Sequence, residues 1–368
     1  MTRRSAPILA RRLAETLAVA TLGGAALGLP GLPAGWLSGA VLFTAAAALA
    51  KRPMYVPTVL SQVIFVLLGI SIGAAVTPET LSRMTAWPLS MFALAVAMGA
   101  LTFSSATYLH RVHQWDWMSA LFASAPGAMS QALALAADTS SDLRSVAIVQ
   151  SVRILVLAVA MPLIIAGLGL VGEPPVMAPM PPLRESIGEL SLLVIVSTAA
   201  AVFAYRMRLP GGLIVGAMVG SGILHGFGFV HINLPPAILI ASFVGLGALI
   251  GSRFYGTDLV RLRELLRASF GALLVGMTVA ALFAAATAWL LSLSFADVLI
   301  AYAPGGLEAM TILAFALHLD PAFVGAHHLW RFFFVSLMMP LAVAYVARRQ
   351  QLAENAKDKP VIPPRARG

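Results

Sequence analysis

The sequence predicts an all-α polytopic membrane protein with two inverted repeats, each of about five transmembrane helices plus one broken or re-entrant Pro-Gly segment. Three observations carry this prediction: the composition, the number of apolar runs, and a register of matching residues between the halves. Of the 368 residues, 60% are hydrophobic and 11% are charged, and the mean hydropathy is +0.90. A soluble globular chain carries about 25% charged residues. Two ordinary soluble domains are therefore excluded.

Composition also limits the chemistry. The chain has no cysteine, so a disulfide framework, a thiolate metal site and a cysteine nucleophile are excluded. The net charge is +9. In a membrane protein, a basic balance reflects cytoplasmic loops held inside by their Lys and Arg. No soluble stretch is long enough for a DNA-binding module, so no nucleic-acid partner is expected.

Twelve apolar runs follow one another along the chain, several near the ~20 residues that span a bilayer. The first follows a basic start but no clear cleavage site, so it is predicted to be a retained helix. The runs are 13–29, 34–50, 57–77, 86–109, 117–137, 145–170, 186–205, 211–230, 235–252, 268–293, 296–318 and 323–347.

An internal duplication relates the two halves. Shifting the sequence by 178 residues places Ala125-Pro-Gly on Ala303-Pro-Gly, and several single residues match in the same register. The matched residues are mostly Gly, Pro and charged types, which shared apolar composition would not place in register. We predict a first membrane repeat over 1–170, an inter-repeat loop over 171–185, a second repeat over 186–347 and a polar, disordered cytoplasmic tail over 348–368. The single residues that match are Gly69 with Gly247, Gly73 with Gly251, Asp142 with Asp320, Arg153 with Arg331 and Pro162 with Pro340.

The Lys and Arg distribution predicts how the segments cross. If all twelve cross from a cytoplasmic N-terminus, 14 of these residues lie inside and 8 outside. If the fifth and eleventh segments instead dip in and return, 20 lie inside, and only Arg83 and Arg184 lie outside. This arrangement has five crossings and one re-entrant hairpin per half, so the halves are inverted. The alternative is that Pro126 and Pro304 only kink or unwind two spanning helices, which would still leave these residues near the membrane centre.

The two Pro-Gly breaks are the candidate substrate site. A helix that restarts after proline and glycine begins with free N–H groups, which suit an anion. Paired breaks in corresponding positions of inverted halves indicate the binding site of a secondary transporter. The candidate substrate-binding residues are Pro126, Gly127, Ser130, Gln131, Arg153, Pro304, Gly305, Gly306, Glu308 and Arg331.

Arg153 and Arg331 each follow a break proline by 27 residues, about two turns into the next apolar run. A buried guanidinium is costly in a membrane and needs a partner. Two roles are open: an interhelical ion pair, or binding of an anion.

Glu308, His327 and His328 are candidates for proton or ion coupling. Glu308 lies in the first turn after the break, where it either caps the helix or takes up a proton or cation. The adjacent histidines favour a proton relay or hydrogen bonding, because a metal site needs more ligands. No metal, other cofactor or catalytic residue is predicted.

Structural roles are predicted for six further residues. Asp142 and Asp320 precede apolar runs and are expected to be helix N-caps. Gly69-x-x-x-Gly73 and Gly247-x-x-x-Gly251 are expected to allow close helix packing.

The sequence resembles the bacterial membrane AbrB family, known as the AbrB duplication family. The duplicated halves carry the resemblance, together with Leu32-Pro-Ala-Gly-Trp-Leu-Ser-Gly39, Leu209-Pro-Gly-Gly-Leu-Ile-Val-Gly216, Ala125-Pro-Gly-Ala-Met-Ser130 and Ala303-Pro-Gly-Gly-Leu-Glu-Ala-Met310. Its members are labelled regulators of gene expression or ammonia monooxygenases. The family is related to the cation–proton antiporter and anion-transporter superfamily, so the resemblance implies a secondary-transporter fold.

Three functions are therefore weighed. A secondary transporter of a small anionic or polar organic solute, coupled to protons, explains the breaks and arginines. A membrane protein that influences gene expression indirectly would bind a ligand without flux. A monooxygenase is disfavoured because seven histidines without clustered carboxylates do not supply a copper or iron site, so no enzyme is expected. The expected location is the bacterial inner membrane with both termini cytoplasmic. The expected partners are lipid, the solute and protons or a cation, with a homodimer left open.

Overall fold

A computed structural model describes residues 6–74, 87–126, 136, 139, 141–173, 183–209 and 211–357. Over these residues the chain forms helices, turns and irregular segments and no strand. The helices are α1 Ala6–Gly28, α2 Gly35–Leu49, α3 Thr58–Gly73, α4 Trp87–His113, α5 Trp117–Ser124, α6 Leu143–Gly167, α7 Leu183–Arg206, α8 Gly212–Gly226, α9 Pro236–Ser252, α10 Leu259–Leu291, α11 Phe295–Tyr302, α12 Leu307–Ala316 and α13 Pro321–Lys357.

The architecture confirms an all-α polytopic membrane protein. Helices α4, α6, α7, α10 and α13 are each long and apolar enough to cross a bilayer, and α2, α3, α8, α9 and α12 are shorter apolar helices. Large apolar side chains also face outward, for example Trp289 at 82% and Leu29 at 76% exposure. Exposure of such side chains to lipid, unlike exposure to water, carries no hydrophobic free-energy cost.

Glycine motifs allow close contacts between the two halves. A Cβ at Gly69 of α3 would lie 2.5 Å from the carbonyl oxygen of Ile214 on α8, and one at Gly247 of α9 would lie 2.5 Å from the Cβ of Ala40 on α2. No larger residue fits without displacing backbone. The predicted close packing of the two glycine motifs is confirmed, and each motif packs against a helix of the other half.

The fifth and eleventh apolar runs both turn back toward the end of the bundle where they start. Helix α11 has 8 residues and α12 has 10. If α11 and α12 continued in one direction, the start of α11 and the end of α12 would be far apart. Instead, the Asp320 N–H after α12 donates to Asp297 Oδ1 in the first turn of α11 at 2.8 Å. The first half repeats this contact, because the Asp142 N–H donates to Ser119 Oγ at the start of α5, also at 2.8 Å. The second segment is therefore a hairpin rather than an unwound spanning helix, and the described ends of the first segment meet in the same way.

Both predicted aspartate caps are confirmed. Asp142 Oδ1 accepts from the N–H groups of Arg144 and Ser145, and Asp320 Oδ1 accepts from those of Ala322 and Phe323. These bonds satisfy donors that a helix start otherwise leaves free.

The tail differs from the prediction at its start. Helix α13 continues to Lys357, so the residues 348–357 are helical rather than part of a disordered segment. A polar stretch that follows an apolar helix without Gly or Pro has no signal that would end the helix, and the first proline after it is Pro360.

Candidate functional site

The second break lies between α11 and α12. Residues Ala303, Pro304, Gly305 and Gly306 are non-helical, and α12 begins at Leu307. Glu308 is therefore helical and lies in the first turn of α12, as predicted. Gly306 is the N-cap and supplies no side-chain bond, so the first N–H groups of α12 are not capped by a side chain.

Arg331 donates hydrogen bonds to carbonyl groups that follow the C-terminal end of α11. Its Nη1 donates to the Ala303 carbonyl at 2.6 Å and its Nη2 donates to that of Gly305. Beside it, His328 Nε2 donates to the Ile300 carbonyl at 3.1 Å. The last carbonyls of a helix have no intrahelical partner and carry partial negative charge, so a cation there satisfies both the bonds and the dipole.

Arg153 does the same for α5 in the first half. Its Nη2 donates to the Ala125 carbonyl at 3.0 Å, and its Nη1 approaches those of Ala123 and Ser124 at 3.3 and 3.4 Å. Arg153 is 7% exposed and Arg331 1%. Within the described residues neither arginine contacts a carboxylate, so carbonyl groups, and not the ion pair considered above, are their partners.

The contacts of the two halves correspond residue by residue. Gln150 Nε2 donates to the Phe122 carbonyl at 2.7 Å, and each of these residues precedes its counterpart, His328 or Ile300, by 178 positions. Sequence analysis singled out the arginines and His328 but not Gln150. Gln150 could have been found because it aligns with His328 in the repeat register.

His328 is held in its neutral form by its neighbours. Its Nε2 faces a carbonyl, which can only accept, so that nitrogen carries the hydrogen. Arg331 Nη2 lies 2.6 Å from Nδ1 and can only donate, so Nδ1 supplies a lone pair. The bonding pattern leaves His328 no free lone pair for a transferred proton.

His327 has a different environment. Its Nδ1 donates to the Phe323 carbonyl at 2.8 Å and its Nε2 lies 2.6 Å from Ser90 Oγ. The Ser90 hydroxyl has one hydrogen, and it also lies 3.0 Å from the Trp87 carbonyl. All of these bonds are made together only when Nε2 carries a hydrogen too, which is the protonated imidazole. Sequence analysis did not find Ser90, because a serine within an apolar run carries no motif.

One narrow cavity brings parts of both hairpins together. Its volume is about 10 Å³, room for about one water molecule, and it is lined by Ser124 at the end of α5, Arg153 on α6, Ser269 on α10 and Pro304 of the second break. Ser124 Oγ, Ser269 Oγ and Arg153 Nε are buried there and have no hydrogen-bond partner among the described residues. Buried polar groups are normally hydrogen-bonded, so these three atoms are available to a ligand or to water.

The structure describes only some of the remaining candidate site residues. Pro126 is non-helical and buried after α5, whereas Gly127, Ser130 and Gln131 lie outside the described residues. Glu308 is half-buried and makes no side-chain hydrogen bond or ion pair within the described ranges. In those same ranges, no three His, Asp or Glu side chains group as metal ligands.

Asp142 ties the first hairpin to α10 at the end of the bundle. Its carboxylate accepts from the Ser145 hydroxyl at 2.6 Å and from Arg261 Nη2 at 3.0 Å. The bond from Ser145, assisted by the Arg261 guanidinium, holds the pKa of Asp142 below its usual value.

Comparison with known proteins agrees with this architecture along most of the chain. The family model described as "Transition state regulatory protein AbrB" matches residues 5–347. "Uncharacterized protein YhjN" of Bacillus subtilis (strain 168) is 24% identical over 352 residues, covering 88% of this chain and 90% of that protein. "Putative regulator AbrB" of Escherichia coli (strain K12) is 25% identical over 303 residues, covering 76% and 81%. The chain belongs to the AbrB family of membrane proteins.

Proposed function

We propose that this protein is a secondary transporter that moves a small anionic or polar organic solute, and that the solute binds where the two hairpin breaks meet. The observation that carries the proposal is the pair of buried arginines at the breaks. Carbonyl groups accept hydrogen bonds from their Nη1 and Nη2 atoms but do not balance their charge, because a helix C-terminus offers about half a negative charge. Each guanidinium thus leaves positive charge in a low-dielectric interior, and the field of Arg153 reaches Arg331.

An anion would balance this charge. The described part of the site holds one carboxylate, Glu308, which cannot neutralise two arginines, and the uncapped start of α12 adds further positive potential. The inverted repeat would then present the site to each side of the membrane in turn. The matched caps, carbonyl contacts and glycine contacts of the two halves support this repeat.

Coupling to protons is assigned to His327 and Glu308. His327 makes its full set of bonds when protonated, and Tyr302 also donates to the Ser90 carbonyl at 2.6 Å, so polar groups continue from this histidine into the core. Arg331 faces the same region, and its positive field would favour release of the proton when no anion is bound.

The orientation follows the distribution of Lys and Arg. We place both termini on the cytoplasmic side of the bacterial inner membrane and the segment around Glu173 on the other side. The chain has no cysteine of its own, so single cysteines at Glu173 and Lys51 can be labelled with an impermeant maleimide. Labelling of position 173 from the cytoplasmic side would contradict this orientation.

Regulation of gene expression is a second candidate, favoured by the name of the Escherichia coli relative, which calls it a regulator. A membrane regulator of this kind would bind a solute without moving it. We infer no enzymatic activity for the chain.

Flux into proteoliposomes tests the transporter directly. Purified protein, reconstituted with a pH gradient, is given a panel of radiolabelled mono- and dicarboxylates. We expect gradient-driven accumulation of at least one of them, with none in protein-free vesicles. Saturable binding of a panel member without accumulation under any gradient would instead support the regulator.

A further inference from the structure

The hydroxyl of Tyr302 joins the second hairpin to the helices beside it. It donates to the Ser90 carbonyl on α4 at 2.6 Å and lies 3.3 Å from the Thr287 hydroxyl on α10. In the repeat register, Ser124 takes this position at the end of α5 in the first hairpin. Its side chain is shorter by a whole aromatic ring, and its hydroxyl has no hydrogen-bond partner among the described residues. The duplicated position therefore makes a direct polar contact in the second half only.

We propose that one buried water molecule replaces this contact in the first half, in the cavity lined by Ser124, Ser269 and Arg153. The cavity has a volume of about 10 Å³, which is about the room that a single water molecule needs. Ser124 and Arg153 belong to the first repeat and Ser269 to the second, so the water joins the two halves of the molecule. This water site is separate from the binding of a transported organic solute, for which the cavity is too small.

Each of the three side chains offers a buried polar atom that water can satisfy. Arg153 Nε–H can only donate, so the water accepts from it. The hydroxyls of Ser124 and Ser269 can both donate and accept, so one donates to the water and the other accepts from it. These bonds match the roughly three that a buried water makes in proteins. Ser124, Ser269 and Arg153 are only 4%, 2% and 7% exposed, so bulk solvent does not satisfy these atoms instead.

Charge and size argue against other small occupants. No acidic side chain lines the cavity, so a cation would meet the uncompensated charge of Arg153. A chloride ion is larger than a water molecule, and a carboxylate is larger still. Ser105, the remaining polar side chain of the lining, already donates to the Ala272 carbonyl at 3.0 Å. A single neutral water molecule therefore fits both the space and the polar atoms around it.

Hydroxyl-radical footprinting of the purified full-length protein tests for this water directly. A brief X-ray pulse converts water into hydroxyl radicals, which oxidise the nearest side chains, and mass spectrometry locates the oxidised residues. A buried residue is therefore labelled only where water is bound beside it. Leu101 lines the cavity, whereas Leu94, about two turns away on α4, does not, and the two are 1% and 0% exposed. We expect labelling of Leu101 in the wild-type protein, with Leu94 at background.

Filling the cavity should remove this label. Ser269→Val replaces the hydroxyl with a methyl group and adds a second one, so it occupies the space and removes a partner of the water. Gly276→Ala fills the same cavity but keeps all three polar atoms, because its added Cβ lies 3.0 Å from Ser105 Oγ in the cavity lining. In both variants we expect labelling of Leu101 to fall to the level of Leu94.

Thermal unfolding gives a second readout with a matched control. Ser197 is also a buried serine whose hydroxyl has no partner among the described residues, but it lies on α7 and does not line the cavity. Ser124→Ala removes a hydrogen bond to the water and should lower the Tm. Ser197→Ala removes an unsatisfied hydroxyl, so its Tm should be equal to that of the wild type or higher. Ser197→Ala should also retain the label on Leu101.

Three results would overturn the water site. The first is labelling of Leu101 no greater than that of Leu94 in the wild type. The second is undiminished labelling of Leu101 in Ser269→Val or Gly276→Ala. The third is a Tm of Ser124→Ala at or above that of the wild type. Neither measurement uses a solute or an ion gradient, so the water site and the transporter can fail independently of each other.

Discussion

The two hairpins share the same kinds of contacts to their backbone and differ in the side chains beside those contacts. In both, a polar cap starts the first helix, an arginine holds its last carbonyls, and a neighbouring side chain bonds a carbonyl one turn earlier. The first hairpin has Gln150 at that neighbouring position and open space beside Ser124, whereas the second has His328 there and the ring of Tyr302. The contacts that satisfy backbone are thus duplicated, and the side chains between the hairpins have diverged.

This difference separates architecture from chemistry. An unpaired carbonyl at membrane depth costs several kcal/mol, so both halves need the same groups to satisfy it. Side chains that face the space between the hairpins carry no such requirement. In the proposed transporter, the first half would supply polar donors and the second half a histidine that exchanges a proton.

The largest expected effect is on the arginines. Arg331→Gln should reduce carboxylate flux by more than about 100-fold, equivalent to about 3 kcal/mol, while the protein remains in the membrane. Arg153→Gln should have an effect of the same order on flux but a smaller one on Tm, because the carbonyl contacts of Arg153 are longer than that of Arg331 with Ala303. Flux and thermal unfolding are measured on both. Full transport with lowered Tm in each variant would show that the arginines are caps alone.

The glycine contacts should show that the two halves pack equivalently. Gly69→Ala and Gly247→Ala each place a Cβ against the other half, and we expect each to cost about 1–3 kcal/mol by overpacking. Gly99→Ala is the control, since no atom lies within 4 Å of its added Cβ. Thermal unfolding in detergent compares all three, and equal Tm values for Gly69→Ala and Gly99→Ala would contradict the packing argument.

The two histidines should separate by pH dependence when each is replaced with its first-half counterpart. His328→Gln keeps a donor for the Ile300 carbonyl, so flux should change by less than about 3-fold, within ~1 kcal/mol. His327→Val removes the proposed proton carrier, so flux should lose its dependence on pH between about 5 and 8. The converse result, with pH dependence lost only in His328→Gln, would exclude His327 as the carrier.

The smallest effect concerns Asp142, whose side chain is 46% exposed. Its lowered pKa means that the ionised form stabilises the folded state above about pH 4 and that this stabilisation is lost as pH falls further. Asp142→Asn retains a capping side chain, so its Tm deficit should correspond to under about 1 kcal/mol at pH 7 and shrink below about pH 4.

A double-mutant cycle with Arg261→Gln checks the cause of that deficit. Non-additive Tm changes are expected, because Arg261 donates to the Asp142 carboxylate at 3.0 Å. Additive changes, or a deficit that grows toward low pH, would show that the carboxylate is not stabilised by this contact.

Much of the fold could be predicted because it depends on residues with strong backbone consequences. Prolines, glycines and aspartates in register gave the hairpins, the close helix contacts and the caps. The partners of Arg153 and Arg331 could not be predicted, since they are main-chain carbonyls and every residue has one. Ser90, Ser269 and Tyr302 were also missed, because a single polar residue in an apolar run shows its role only when the neighbouring helix is known.

The bonds at the two ends of the second hairpin have a mechanical consequence. Asp320 joins α13 to the start of α11, and Arg331, 11 residues and about 16 Å further along α13, joins it to the hairpin tip. Separating the hairpin from α13 would break both hydrogen-bonded contacts and leave carbonyl groups without partners in an interior that excludes water. In the proposed transport cycle, the hairpin and α13 would therefore move together as one rigid body. A cross-link between positions 297 and 320, made with two introduced cysteines, should leave that motion intact.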